Sequence, residues 1–191
     1  PVTGRHNVVN ALCAVAAAEA LGVSWSQSAH SLAGFQLPRR RFEMLAEANG
    51  IRVISDYAHH PVEISALLEQ AALLGAKRVV GVFQPHRYSR TKAFFQDFAR
   101  VLARLDVLIL VPVYSAFEAP MEGGDTTDIH RVLQAEGRTD SQLAGSVEDA
   151  WTKLRAVWRE GDLVLIIGAG DVDKVGACAA RCLLTEKGTE S

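Results

Sequence analysis

Apolar runs of strand length at 51–55, 78–83, 106–111 and 162–167 each end in polar residues and lead into a segment of helix length. This alternation constrains the chain more than any other feature. Strands separated by helices pair in parallel, because the return to the starting edge of a sheet needs a crossover of a dozen or more residues. Helical patterns lie at 61–74, 91–104, 127–136, 147–159 and 171–184. Upstream, 42–47 alternates as a strand does, and Asn49-Gly50 is a hairpin signal that turns the chain back into 51–55. The expected fold is α/β: a Rossmann-like, mostly parallel sheet flanked by helices, with an antiparallel edge hairpin.

The first forty residues read differently. An alanine-rich helix over 6–21 closes at Gly22, and Ser24 or Ser26 caps a second short helix through Leu32. A loop from Gly34 to Arg41 carries Pro38 and three consecutive arginines. Composition changes there, so two domains are expected, 1–38 and 39–191, with 187–191 as an irregular tail. The chain opens at Pro1 inside a helix lead-in, which predicts that it is part of a longer protein. A net charge of −2 gives no global pull toward nucleic acid or anionic membrane. No run approaches the ~20 apolar residues of a membrane span. Cys13, Cys178 and Cys182 make an odd set without regular spacing, which is no disulfide framework and fits a reducing cytoplasm.

In such a sheet, ligands bind beyond the C-terminal ends of the strands. The polar residues of this chain collect there. Asp56-Tyr57-Ala58-His59-His60-Pro61 follows the first central strand, and Gln84-Pro85-His86-Arg87-Tyr88-Ser89-Arg90-Thr91 follows the next. Val113-Tyr114-Ser115-Ala116-Phe117-Glu118-Ala119-Pro120 and Gly168-Ala169-Gly170-Asp171 follow the other two. Arg87 and Arg90 at a strand-to-helix junction suit a carboxylate or phosphate, since a guanidinium fork and a helix N-terminus both favour anions. A solvated helix start is the plainer reading of the same residues. Asp56 with His59 and His60 admits a metal-dependent phosphoesterase, although no second carboxylate cluster has ligand spacing. Gly168-Ala169-Gly170 opens like a dinucleotide fingerprint but has Asp173 in place of the third glycine, and a tight turn explains it equally well. Asn7 and Asn10 share one helical face and offer amides that pair with an adenine edge, or cap the helix.

Taken in order, these segments resemble the Mur ligases. Gly4-Arg5-His6-Asn7-Val8-Val9-Asn10-Ala11 looks like the end of the family's central ATP-binding domain, and Arg40-Arg41-Phe42 like the arginine just past its domain linker. The segments around Asp56, His86, Tyr114 and Gly168 resemble the alanine-adding branch. A muropeptide-recycling branch shares the aspartate and paired histidines, but carries a Glu-Pro-Arg-Ser type segment where this chain has Gln84-Pro85-His86-Arg87. Two departures stand out: Ser55 replaces a usual aspartate, and Phe117 a usual glycine.

The resemblance implies an ATP-dependent ligase of peptidoglycan synthesis that joins L-alanine to UDP-N-acetylmuramate through an acyl phosphate. It implies that His6, Asn7, Asn10 and Asp56 bind ATP, that Arg41 reaches the transferred phosphate, and that Arg41 and His86 are catalytic. Tyr57, His59, His86, Arg87 and Arg90 would hold the amino acid. ATP would act with Mg2+, whose ligands, like the phosphate loop and the nucleotide-sugar domain, belong to upstream parts of the family's chain. No Gly-x-x-x-x-Gly-Lys-[Ser/Thr] loop occurs in these 191 residues, so this piece alone is expected to be inactive. No nucleic-acid or membrane partner is expected.

Overall fold

The structure is a computed structural model that describes residues 4–137 and 140–186. It forms two compact units, one up to Arg39 and one from Arg40 onward. The first holds α1 (Arg5–Ala20) and α2 (Trp25–Ala33). Helix α2 starts in a reciprocal cap: Ser24 Oγ accepts from the Gln27 N–H at 3.3 Å, while Gln27 Oε1 accepts from the Ser24 N–H at 3.0 Å.

The second unit contains β1 (Glu43–Ala48), β2 (Ile51–Asp56), α3 (Pro61–Ala72), β3 (Arg78–Phe83), α4 (Tyr88–Leu102) and β4 (Val107–Leu110). It continues through α5 (Thr126–Glu136), β5 (Asp140–Leu143), α6 (Val147–Val157), β6 (Asp162–Ile167) and α7 (Asp173–Glu186). The six strands are ordered β1-β2-β6-β3-β4-β5. Only β1 and β2 are antiparallel. Asn49 and Gly50, at φ 51° and 69°, make the turn between them, a backbone shape with two left-handed residues that asparagine and glycine tolerate.

Alternation along the buried strands feeds two cores. Leu163, Leu165 and Ile167 of β6 face one way, against Ile64 and Leu67 of α3, Phe98 and Leu102 of α4, and Ile129 of α5. Val164 and Ile166 face the other way, against Ala150 and Leu154 of α6 and Val175 and Ala179 of α7. The chain after β6 therefore leaves for one face of the sheet, while the chains after its neighbours β2 and β3 leave for the other. That divergence makes the C-terminal end of β6 a topological switch point, the place where open α/β sheets bind ligands.

The α/β architecture and edge hairpin match the sequence expectation; several element ends shift by one or two residues, and three differences stand out. Helix α4 begins at Tyr88, not at 91, for a reason described below. Strand β5 was not expected: Asp140–Leu143 has four residues, two of them exposed, and lacks a sustained apolar signal. Helix α7 begins at Asp173 because Asp171 and Val172 form the turn leading into it. The expected irregular tail at 187–191 lies outside the described residues.

Candidate functional site

Gln84 forms a floor across the C-terminal ends of β3, β4 and β6. Its side chain is 3% exposed and ties three strand ends together. Nε2 donates to Asp171 Oδ1 at 2.8 Å and to the Pro112 carbonyl at 3.3 Å, while Oε1 accepts from the Val172 N–H at 3.0 Å. A buried amide so fully paired is a structural clasp. The glycines after β6 serve it. A Cβ at Gly170 would lie 2.4 Å from Gln84 Oε1 and 2.6 Å from Tyr114 Cγ. Gly168 has φ +144°, and a Cβ there would lie 2.8 Å from the Gln84 carbonyl oxygen. Of the two readings of Gly168-Ala169-Gly170, the tight turn with close packing accounts for both residues.

Above this floor, the loops after β3 and β4 zip together. The Tyr114 N–H donates to the Pro85 carbonyl and the Arg87 N–H donates to the Tyr114 carbonyl, both at 2.9 Å. A row of rings results. His86 stacks on Tyr114 with centroids 5.5 Å apart and planes at 18°. His59 lies 5.7 Å from His86, and Tyr57 meets His59 edge-on at 5.6 Å. His86 Nδ1 is buried without a hydrogen-bond partner. Burial, and then the electrostatic influence of His59, Arg90 and Arg87, push the His86 imidazole below its ordinary pKa. The shift favours the neutral imidazole.

The arginines flank this row. Arg87 caps the start of α4 at φ 75°, a left-handed conformation, and makes no side-chain cap bond itself. Its Nη1 lies 3.5 Å from Glu118 Oε1. Glu118 also accepts from the Ser89 N–H at 3.0 Å and the Ser89 hydroxyl at 2.7 Å. Arg90 Nη1 donates to the His86 carbonyl at 3.4 Å. Arg87, Arg90, His86 and His59 thus gather at one strand-to-helix junction.

Asp56 and the linker arginines complete the edge. Asp56 Oδ2 accepts from the Phe42 N–H and Oδ1 from the Ala58 N–H, each at 2.8 Å. Burial raises its pKa, while these two bonds lower it and partly compensate. Arg40 reaches inward: its Nη2 donates to the carbonyls of Gly168 and Gly170, and its guanidinium lies 5.1 Å from the Tyr57 ring centroid. Arg41 is exposed and covers the same ring at 5.8 Å. Of the two, Arg41 has the guanidinium free of such carbonyl bonds.

The metal-dependent alternative finds no support in this geometry. Both oxygens of Asp56 face backbone N–H groups, and His60 Nδ1 accepts from the Val62 N–H at 3.3 Å as the cap of α3. His59 Nδ1 lies 2.9 Å from the Tyr57 carbonyl. Among the described residues, no three of His, Cys, Asp and Glu converge as a metal site would require.

His6, Asn7 and Asn10 lie in the first two turns of α1, in the first unit; His6 and Asn10 are exposed and Asn7 is half-buried. Sequence reasoning gave no role to Gln84, Tyr114, Glu118 or Arg40. Gln84 and Glu118 stood inside quoted motifs, but only folding shows what they hold. Arg40 sits among three arginines, and nothing in the sequence says which one turns inward.

The family model described as Mur ligase, glutamate ligase domain, matches residues 40–170. The chain belongs to the Mur ligase family. A curated UDP-N-acetylmuramate–L-alanine ligase of Agrobacterium fabrum is 41% identical over 177 residues, which cover 93% of this Mur ligase chain and 38% of that relative. The crystal structure of a UDP-N-acetylmuramate-alanine ligase from Thermotoga maritima matches with a TM-score of 0.71 at 27% identity, covering 100% of this chain and 39% of that one. A murein peptide ligase from Psychrobacter arcticus matches with a TM-score of 0.74 at 25% identity, over 96% and 38% of the two chains. The Mur ligase chain thus spans well under half the length of these relatives.

Proposed function

We propose that this chain is the C-terminal, amino-acid-receiving part of an ATP-dependent cytoplasmic ligase that joins L-alanine to UDP-N-acetylmuramate in peptidoglycan synthesis. The observation that carries the reading is the meeting of Arg87, Arg90, His86 and His59 at the head of α4. Two guanidinium groups suit the carboxylate of a small amino acid, and the ring row gives its side chain an apolar wall. The likeness to curated alanine ligases at about 41% identity supports the same acceptor.

In this reading ATP phosphorylates the muramyl carboxylate, forming an acyl phosphate and ADP. Arg41, exposed past the first unit, meets the transferred phosphate. The amine of alanine attacks the acyl carbon, the C–N bond forms, and the C–O bond to phosphate breaks, releasing inorganic phosphate. The neutral imidazole of His86 takes the proton that the amine sheds. The chain otherwise contributes position and charge. His6, Asn7 and Asn10 hold adenine, and Asp56, whose oxygens each accept one backbone N–H, has its remaining lone pairs for a ribose hydroxyl. Residues 1–38 are the tail of the central ATP-binding domain, and 39–191 the C-terminal domain. The Mg2+ that accompanies ATP has no three-ligand donor set among the described residues, so no step is assigned to it in this chain.

The test is phosphate release by the full-length ligase with ATP, UDP-N-acetylmuramate and either L-alanine or a muropeptide. Release that requires L-alanine supports the reading. Release that requires the peptide and ignores L-alanine assigns the protein to the recycling branch instead.

A further inference from the structure

Helix α4 lacks the cap that its own sequence should supply. Arg87, at the N-cap, is in the left-handed region and offers no side-chain acceptor to the first turn. Glu118 fills that place from another loop, with one oxygen on the Ser89 N–H and the other on the Ser89 hydroxyl. The second oxygen also faces Arg87 Nη1 at 3.5 Å. Glu118 is itself presented by a tight turn, in which its N–H donates to the Ser115 carbonyl at 3.0 Å across Ala116 and Phe117, both left-handed. Two strained loops thus meet at one carboxylate. The Arg87 side chain is 49% exposed, whereas that of Glu118 is 24% exposed, so the better-held partner is the acid.

We infer that Glu118 is the positioning residue of the acceptor site: anchored on Ser89, it aims the Arg87 guanidinium at the amino acid's carboxylate. An unheld arginine samples many rotamers, and each must be given up when the carboxylate binds. Glu118 takes up that ordering cost beforehand and leaves the other guanidinium nitrogens to the ligand. The inference rests on the reading that Arg87 binds the acceptor.

Steady-state kinetics of the full-length ligase tests it with Glu118→Gln, Arg87→Lys and the double variant. Glutamine keeps an acceptor for the Ser89 N–H and removes the charge. Glu118→Gln is expected to raise KM for the acceptor about fivefold, the upper range for a partly exposed ion pair, with kcat and KM for ATP within about twofold of the parent. In the Arg87→Lys background the same change should add less than about twofold, since it acts through Arg87. Fully additive effects would overturn the inference. So would a lowered Tm with an unmoved acceptor KM in Glu118→Gln while Arg87→Lys still weakens the acceptor; that result leaves the acceptor site standing. An acceptor KM unmoved by Arg87→Lys takes Arg87 out of the acceptor site, and the inference with it, and leaves Arg90 to carry the acceptor-site reading.

Discussion

The His86 imidazole lies nearly parallel to the Tyr114 ring, 5.5 Å away, with its Nδ1 buried and unpartnered. The stack is set by backbone, since Tyr114 bonds to both Pro85 and Arg87 on either side of His86. Burial, seconded by positive neighbours, lowers the His86 pKa below the usual imidazole value. As pH falls, the unfolded chain therefore binds this proton before the folded chain does. The stability tied to neutral His86 is whole above about pH 6.5 and is lost as pH falls through the folded-state value. His86→Gln should accordingly show a shallower loss of Tm than the parent between roughly pH 7 and pH 5. An NMR titration that places His86 at or above the ordinary imidazole value would contradict the account.

Gly170 lies where a side chain would collide with both Gln84 and Tyr114. Gly170→Ala should destabilise the chain by about 1–3 kcal/mol in urea unfolding, as overpacking does. Gly145→Ala is the control, because a Cβ there meets nothing closer than Asp149 Oδ2 at 3.8 Å. Equal stability of the two variants would mean that the strand-end loops are loosely packed.

Phe117 is left-handed at φ 71° and wholly exposed at 106%. It stands where related sequences are expected to carry glycine. Relief of the backbone strain is worth ~1–2 kcal/mol, and glycine's extra unfolded-state freedom takes back ~0.4–1 kcal/mol. Phe117→Gly should therefore raise stability by up to about 1.6 kcal/mol, read from urea unfolding. A loss of stability would show that the ring makes a contact the exposed position hides.

The sheet was legible because its central strands are apolar without interruption; all six residues of β6 are buried. The hairpin was legible because Asn49-Gly50 fits one turn shape. Strand β5 was not, since an edge strand with exposed residues needs no apolar signal. The start of α4 was missed because its cap, Glu118, comes from a loop far along the chain and not from the residue before the helix. That the ionisable cluster at 86–90 lies beyond the C-terminal end of β3 followed from topology alone, since the alternation of strands and helices already sets the direction of each strand. Which arginine turns inward and which faces solvent is decided by carbonyls at Gly168 and Gly170, and no local pattern records that.

The most direct test of the acceptor site is kinetic analysis of Arg87→Lys and Arg90→Lys in the full-length ligase, varying each substrate in turn. Lysine keeps the charge but loses the planar fork that grips a carboxylate. At least one variant should raise KM for L-alanine about tenfold or more, a loss of ~1.4 kcal/mol, with KM for ATP moving far less. If both variants bind alanine as the parent does, or if ATP or the nucleotide sugar is weakened instead, these arginines do not hold the amino acid.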